Sequence, residues 1–67
     1  MTEQKAVGQM TKSARLKKHL TQVEVAEKVG VHPNTIARIE RGEQKPTFAT
    51  AKRLAKILEL DIKDIPA

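Results

Sequence analysis

The chain has 67 residues, with 13 Lys plus Arg against 8 Asp plus Glu, no Cys, Trp or Tyr, and one Phe. Its length allows one small domain with a thin core, burying roughly 60% of the unfolded surface. The composition excludes a disulfide framework and a thiolate zinc site, the two histidines His19 and His32 are too few for a structural zinc site, and a 39% hydrophobic fraction excludes obligate disorder.

The N-terminus, Met1-Thr2-Glu3-Gln4-Lys5, has no apolar run behind a basic head, so no secretory leader is expected and a cytoplasmic setting is. Residues 1–6 have nothing to bury and are expected to form a flexible tail. Val7, Met10 and Ala14 then mark a first helix by their i, i+3, i+7 spacing. Thr21 followed by Glu24 is a capping box and opens a second helix of about two turns. Val25, Ala26 and Val29 form its buried face, and Gly30 ends it in a left-handed conformation. Pro33 suits the first position of a third helix, whose inward residues are Ile36 and Ile39 and whose end is Gly42. After the loop Glu43-Gln44-Lys45-Pro46, Thr47 caps the longest helix. Phe48, Ala51, Leu54, Ala55 and Leu58 supply its inward face. Asp61 and Asp64 open a last short turn carrying Ile62 and Ile65, closed by Pro66. No segment alternates as a strand does, so the expected fold class is all-α.

The net charge of +5 points toward a polyanion, although basic surfaces also serve solubility. Single-strand readers stack bases on aromatic rings, and here only Phe48 is available, so a duplex fits better. Gln22 to Arg41 has the spacing of two short helices joined by a tight glycine turn. Ala26 is small where the next helix crosses, Gly30 turns without a β-carbon, and Val25, Ile36 and Ile39 pack the pair.

The run Leu20-Thr21-Gln22-Val23-Glu24-Val25-Ala26-Glu27-Lys28-Val29-Gly30-Val31 resembles the signature of the phage Cro/C1-repressor-like helix-turn-helix family, also called the XRE family. Thr35-Ile36-Ala37-Arg38-Ile39-Glu40-Arg41-Gly42 and the following stretch to Pro46 are similar to the same family. So are Leu54-Ala55-Lys56-Ile57-Leu58 and Asp61-Ile62-Lys63-Asp64-Ile65. The match spans about residues 7–65 and implies a lambda-repressor-like domain of four to five helices. It also implies a regulator, more often a repressor, that binds a palindromic operator in double-stranded DNA as a homodimer in the cytoplasm, at the nucleoid of a bacterium or its phage.

The resemblance implies that residues 33–41 form a recognition helix in the major groove. His32, Pro33, Asn34, Thr35 and Arg38 are then the candidates for base contact, with Arg38 suited to guanine and Asn34 to adenine. Gln22, Arg41, Lys45 and Thr47 fall where the family grips phosphates. Arg15 and Glu40 are placed as a partly buried structural ion pair, and Ile57, Leu60, Ile62 and Ile65 as a dimer interface. Plainer readings stand beside these: His32 as a cap, Gln22 as part of a first-turn network, Asn34 and Arg38 as solvated surface, and Lys52, Arg53 and Lys56 as a solvated helix face.

Four positions depart from the family pattern. Thr11 and Ala14 are smaller than usual, with Leu16 able to compensate in a shifted register. Glu59 stands where glycine is common, which implies a strained turn. Pro33 removes a polar side chain from the reading surface, leaving specificity to Asn34 and Arg38, with His32 adding a pH-dependent contact. No catalytic constellation, phosphate loop, cofactor motif or small-molecule site is evident, so no enzyme, cofactor, metal or membrane partner is expected. The competing function is a protein-interaction module or an autoregulating antitoxin, and the chain could also be the N-terminal domain of something longer.

Overall fold

A computed structural model describes residues 3–61 as four helices in the order α1 (Glu3–Lys17), α2 (Gln22–Val29), α3 (Pro33–Glu40) and α4 (Phe48–Leu58). The all-α expectation holds, and the described residues contain no strand. The expected last turn, with Ile62 and Ile65, lies outside the described residues. None of the described helices is long and apolar enough to cross a membrane.

Helix α1 starts earlier than its apolar stripe suggests. Residues 3–6, expected as part of a flexible tail, are helical. The cause is close backbone packing rather than apolar side chains. A β-carbon placed on Gly8 would lie 2.5 Å from the carbonyl oxygens of both Ile39 and Glu40, so α1 touches the end of α3 almost backbone to backbone. One turn earlier, Lys5 packs on Gly42, where a β-carbon would lie 2.7 Å from the lysine Cγ.

Thr11 is buried, and its hydroxyl satisfies itself by donating to the Val7 carbonyl at 2.8 Å. Leu16 does not compensate for the small residues of α1, because it is 53% exposed. The core instead gathers Val25, Ala26, Val29, Ile36, Ile39, Leu54 and Leu58, with Val7 and Ala14 from α1. Phe48, expected to face inward, is 74% exposed. It is the first residue of α4, and side chains tilt toward a helix N-terminus, so its ring projects off the helix end. The Lys52 ammonium covers it, 5.4 Å from the ring centroid, and Thr50 takes the buried position.

All four helices stop in the same way. The amides of Leu20, Val31, Glu43 and Leu60 reach back to the carbonyls of Arg15, Ala26, Arg38 and Ala55 at 2.8–3.1 Å, closing each last turn. The residue before each of these amides is left-handed: His19 at φ 58, Gly30 at 84, Gly42 at 76 and Glu59 at 58. Glycine adopts this conformation without strain, whereas a side chain costs about 1–2 kcal/mol there. The strained turn expected at Glu59 is present, and His19 is a second. Two further contacts fix the helix ends. Lys18 pairs with Glu59 at 2.9 Å. Arg53, expected to be merely solvated, donates to the Val29 carbonyl at 3.3 Å, a cation at the negative end of α2.

Gly8→Ala drives a methyl group into two backbone carbonyls that cannot rotate away. We expect a loss of about 1–3 kcal/mol despite the better helix propensity of alanine, read as a lowered urea midpoint.

Candidate nucleic-acid interface

The helix-turn-helix is assembled by local chemistry. The Thr21 hydroxyl accepts from the Glu24 amide at 3.0 Å, and the Glu24 carboxylate accepts from the Thr21 amide at 2.9 Å. These bonds, the Thr21 amide foremost, hold the Glu24 carboxyl below its ordinary pKa. Gly30 then turns the chain, and α3 begins under a His32 cap with Pro33 in its first turn. The imidazole Nδ1 of His32 accepts from the Asn34 amide at 3.0 Å. A polar side chain at that position removes one unsatisfied amide from the helix start.

Helix α3 has two distinct faces. Ile36 and Ile39 are fully buried, while Asn34 and Arg38 are exposed, with Pro33, Thr35 and Ala37 half-buried between them. His32 lies exposed at the lip of the same face. Asn34 and Arg38, one turn apart, therefore share the exposed side of α3, with His32, Pro33 and Thr35 at its start and Arg38 in its last turn.

The backbone-gripping candidates are placed less uniformly. Gln22 is half-buried, and its Nε2 donates to Glu40 Oε1 at 3.1 Å, so it braces α3 from α2. Lys45 is exposed in the loop after α3. Thr47 is committed locally: its hydroxyl accepts from the Thr50 amide at 3.2 Å and donates to the Thr50 hydroxyl at 3.1 Å. Arg41 is engaged with an acid. Its Nε donates to Glu43 Oε2 at 2.7 Å and its Nη2 to Glu43 Oε1 at 3.2 Å. The pairing raises the Arg41 pKa and lowers that of Glu43, with hydrogen bonding the larger cause in both. The charges of Arg41 and Arg38 add to the lowering of Glu43.

Beneath this surface, Arg15 and Glu40 form a bidentate pair. Arg15 Nε donates to Glu40 Oε2 at 2.7 Å and Nη2 to Oε1 at 3.1 Å, while Nη1 donates to the Leu20 carbonyl at 2.8 Å. The two side chains are 10% and 3% exposed. Hydrogen bonding to Glu40 raises the Arg15 pKa against the opposing cost of burial. One carboxylate thus joins α1, α2 and α3. Of the dimer candidates, Ile57 and Leu60 are half-buried and packed against the core, and Ile62 and Ile65 lie outside the described residues. No group of three or more potential metal ligands forms among the described residues.

Sequence reasoning missed Gly8, Arg53 and Glu43. An isolated glycine in a helical pattern signals close packing, so Gly8 was readable. The Glu43 pairing carries no such signal, because residues two apart meet here only through the left-handed Gly42 between them.

The Helix-turn-helix (HTH_3) family model matches residues 12–65. The chain belongs to this family. The helix-turn-helix protein is 34% identical over 62 residues to the ImmF control region 10 kDa protein of Bacillus phage phi105, covering 92% of this chain and 69% of that one. It is 37% identical over 54 residues to an uncharacterized HTH-type transcriptional regulator of Archaeoglobus fulgidus, covering 81% and 76%. The immunity repressor protein of the same phage is 36% identical over 59 residues, covering 88% of this chain and 41% of the repressor. Among solved structures, the clp gene regulator ClgR from Corynebacterium glutamicum superposes with a TM-score of 0.89 at 25% identity, over 97% of this chain and 69% of that one. The protein is a DNA-binding regulator of a non-enzymatic family, and its resemblance to phage repressors holds.

Reversing either charge of the buried pair leaves two like charges in contact, and we expect each single variant, Arg15→Glu or Glu40→Arg, to lose at least about 3–5 kcal/mol. The double reversal recovers part of that loss in urea melts. Recovery is incomplete because Gln22 and the Leu20 carbonyl are set for the original polarity.

Proposed function

We propose that this protein is a sequence-specific repressor that binds a palindromic operator as a homodimer, with α3 in the major groove of each half-site. The two-faced character of α3 carries the reading: Ile36 and Ile39 are fully buried, which leaves Asn34 and Arg38 to project from the opposite side. Arg38 reads guanine through O6 and N7, and Asn34 reads adenine through N6 and N7, each contributing about 1–3 kcal/mol of discrimination. Pro33 and Thr35 supply contact surface beside them.

In this reading His32 has a dual role. Nδ1 holds the first turn of α3, and Nε2 is left for the DNA. Gln22 and Lys45 meet phosphates, Arg41 does so after releasing Glu43, and Thr47 contributes through the amides of the helix it caps. Repression is favoured over activation by the similarity to an immunity repressor of a Bacillus phage. A second copy joins through Ile57 and Leu60, with Ile62 and Ile65 as the further apolar residues of the pairing. The setting that follows is the nucleoid within the cytoplasm.

Selecting bound duplexes from a random pool at stated salt tests the reading. The wild-type protein is expected to return a palindromic consensus, and Arg38→Ala to relax it at one base pair in each half-site. Binding that is equal on all duplexes and sensitive only to salt is the result that overturns it. Sedimentation of the protein with and without the selected duplex examines the dimer: two copies per operator are expected, and a single copy at high micromolar protein refutes the pairing.

A further inference from the structure

Glu43 lies on the surface assigned to DNA, yet it carries the charge that phosphates carry. Its carboxylate takes both donors of the Arg41 fork, at 2.7 and 3.2 Å, in the planar geometry that a guanidinium also uses for phosphate. Both side chains are more than half exposed, at 57% and 55%, so the pair stands open to solvent. Gly42 at φ 76 and the bond from the Glu43 amide to the Arg38 carbonyl at 2.9 Å fold the chain so that residues 41 and 43 lie side by side. Arg38 is near enough for its charge to act on the same carboxylate. The charged groups at this corner include Arg38, Arg41 and Glu43, with Lys5 of α1 packed against Gly42 between the last two.

We propose that Glu43 is an affinity-limiting residue of the DNA-facing surface: it acts as an internal phosphate mimic that occupies Arg41, so that a DNA phosphate must displace it. The proposal rests on the DNA-facing assignment of α3 made above. On a random duplex no base contact holds α3 in place, so Arg41 keeps its carboxylate and neutralises no phosphate. On an operator, Arg38 and Asn34 set the register, a phosphate stands at a fixed position beside residue 41, and the fork exchanges one oxyanion for another. An exposed ion pair is weak enough to open in this way. The operator complex has already opened the pair, so removing Glu43 returns to it the whole cost of opening. The random complex keeps the pair closed because its phosphate contact is worth less than the pair, so it gains no more than that smaller contact. Glu43 therefore lowers affinity on both duplexes, and on the operator by at least as much.

The test compares wild type, Glu43→Gln, Arg41→Gln and the double variant by fluorescence anisotropy, on a random duplex and on the selected operator. Glutamine keeps the size of the side chain and an exposed position, and circular dichroism verifies the fold of each variant. Glu43→Gln is expected to tighten random-duplex binding about twofold to fivefold and to steepen its salt dependence by about one phosphate between roughly 50 and 200 mM salt. The gain on the operator is at least as large, and the gain on random duplex disappears when Arg41 is Gln. An equal gain with and without Arg41 means that Glu43 acts only as a diffuse negative charge and overturns the proposal, as does no gain at all. A readout free of DNA separates this from the function itself: the Glu43 carboxyl, followed by NMR through a pH titration, should shift its midpoint upward in Arg41→Gln. A midpoint that does not move rules out the pairing, whereas a normal shift with no operator selection by wild type locates the failure in the DNA-reading assignment.

Discussion

The carboxylate of Glu40 is the point on which this fold is hung. A side chain 3% exposed and negatively charged is tolerable only because Arg15 meets it with two hydrogen bonds and Gln22 with a third. Arg15 in turn donates from its third nitrogen, Nη1, to the Leu20 carbonyl, where the chain leaves α1 for α2. Three helices and one connection thus meet at a single acid located at the last turn of α3. Apolar residues there would hold the helices together as well, but they would tolerate rotation about the helix axes. A fork of directed bonds does not, and that rotation decides which side of α3 is exposed.

The other restraints on α3 act along its length. At its start, His32 and Pro33 fix where the helix begins; at its end, the carbonyls of Ile39 and Glu40 rest against Gly8 of α1. The exposed face of α3 is therefore held at both termini and from beneath, so its side chains project from a fixed element. That arrangement suits a surface whose side chains must keep a set geometry.

Much of this was legible because each element announces itself locally. The Thr21–Glu24 box, Gly30, Pro33 and Thr47 are punctuation whose chemistry depends on neighbours a few residues away, and all four take the expected conformations. The Arg15–Glu40 pair came only through family resemblance, since nothing in the spacing of two residues 25 apart predicts it. The misreadings share one origin. Residues 3–6, Leu16 and Phe48 were judged by hydrophobicity, yet α1 is held by backbone contact at Gly8 and Gly42, and Phe48 sits at a helix start that points away from the core. Periodicity describes side chains and is blind to where two backbones meet. The candidate site was legible as a set of residues on one helix, but not as an electrostatic arrangement, because the Arg41–Glu43 pairing requires a turn geometry that composition does not encode.

The four identical helix closures have a consequence for how the chain reaches this state. Each helix ends itself through bonds spanning five residues, so its stop is decided before any partner arrives. The contact of α1 with α3 is of the opposite kind: Arg15 and Glu40 meet across 25 residues of a 67-residue chain, so docking the helices carries the entropy of loop closure that ending them does not. The ends of the helices are thus set locally, and their orientation is set by residues far apart in the chain.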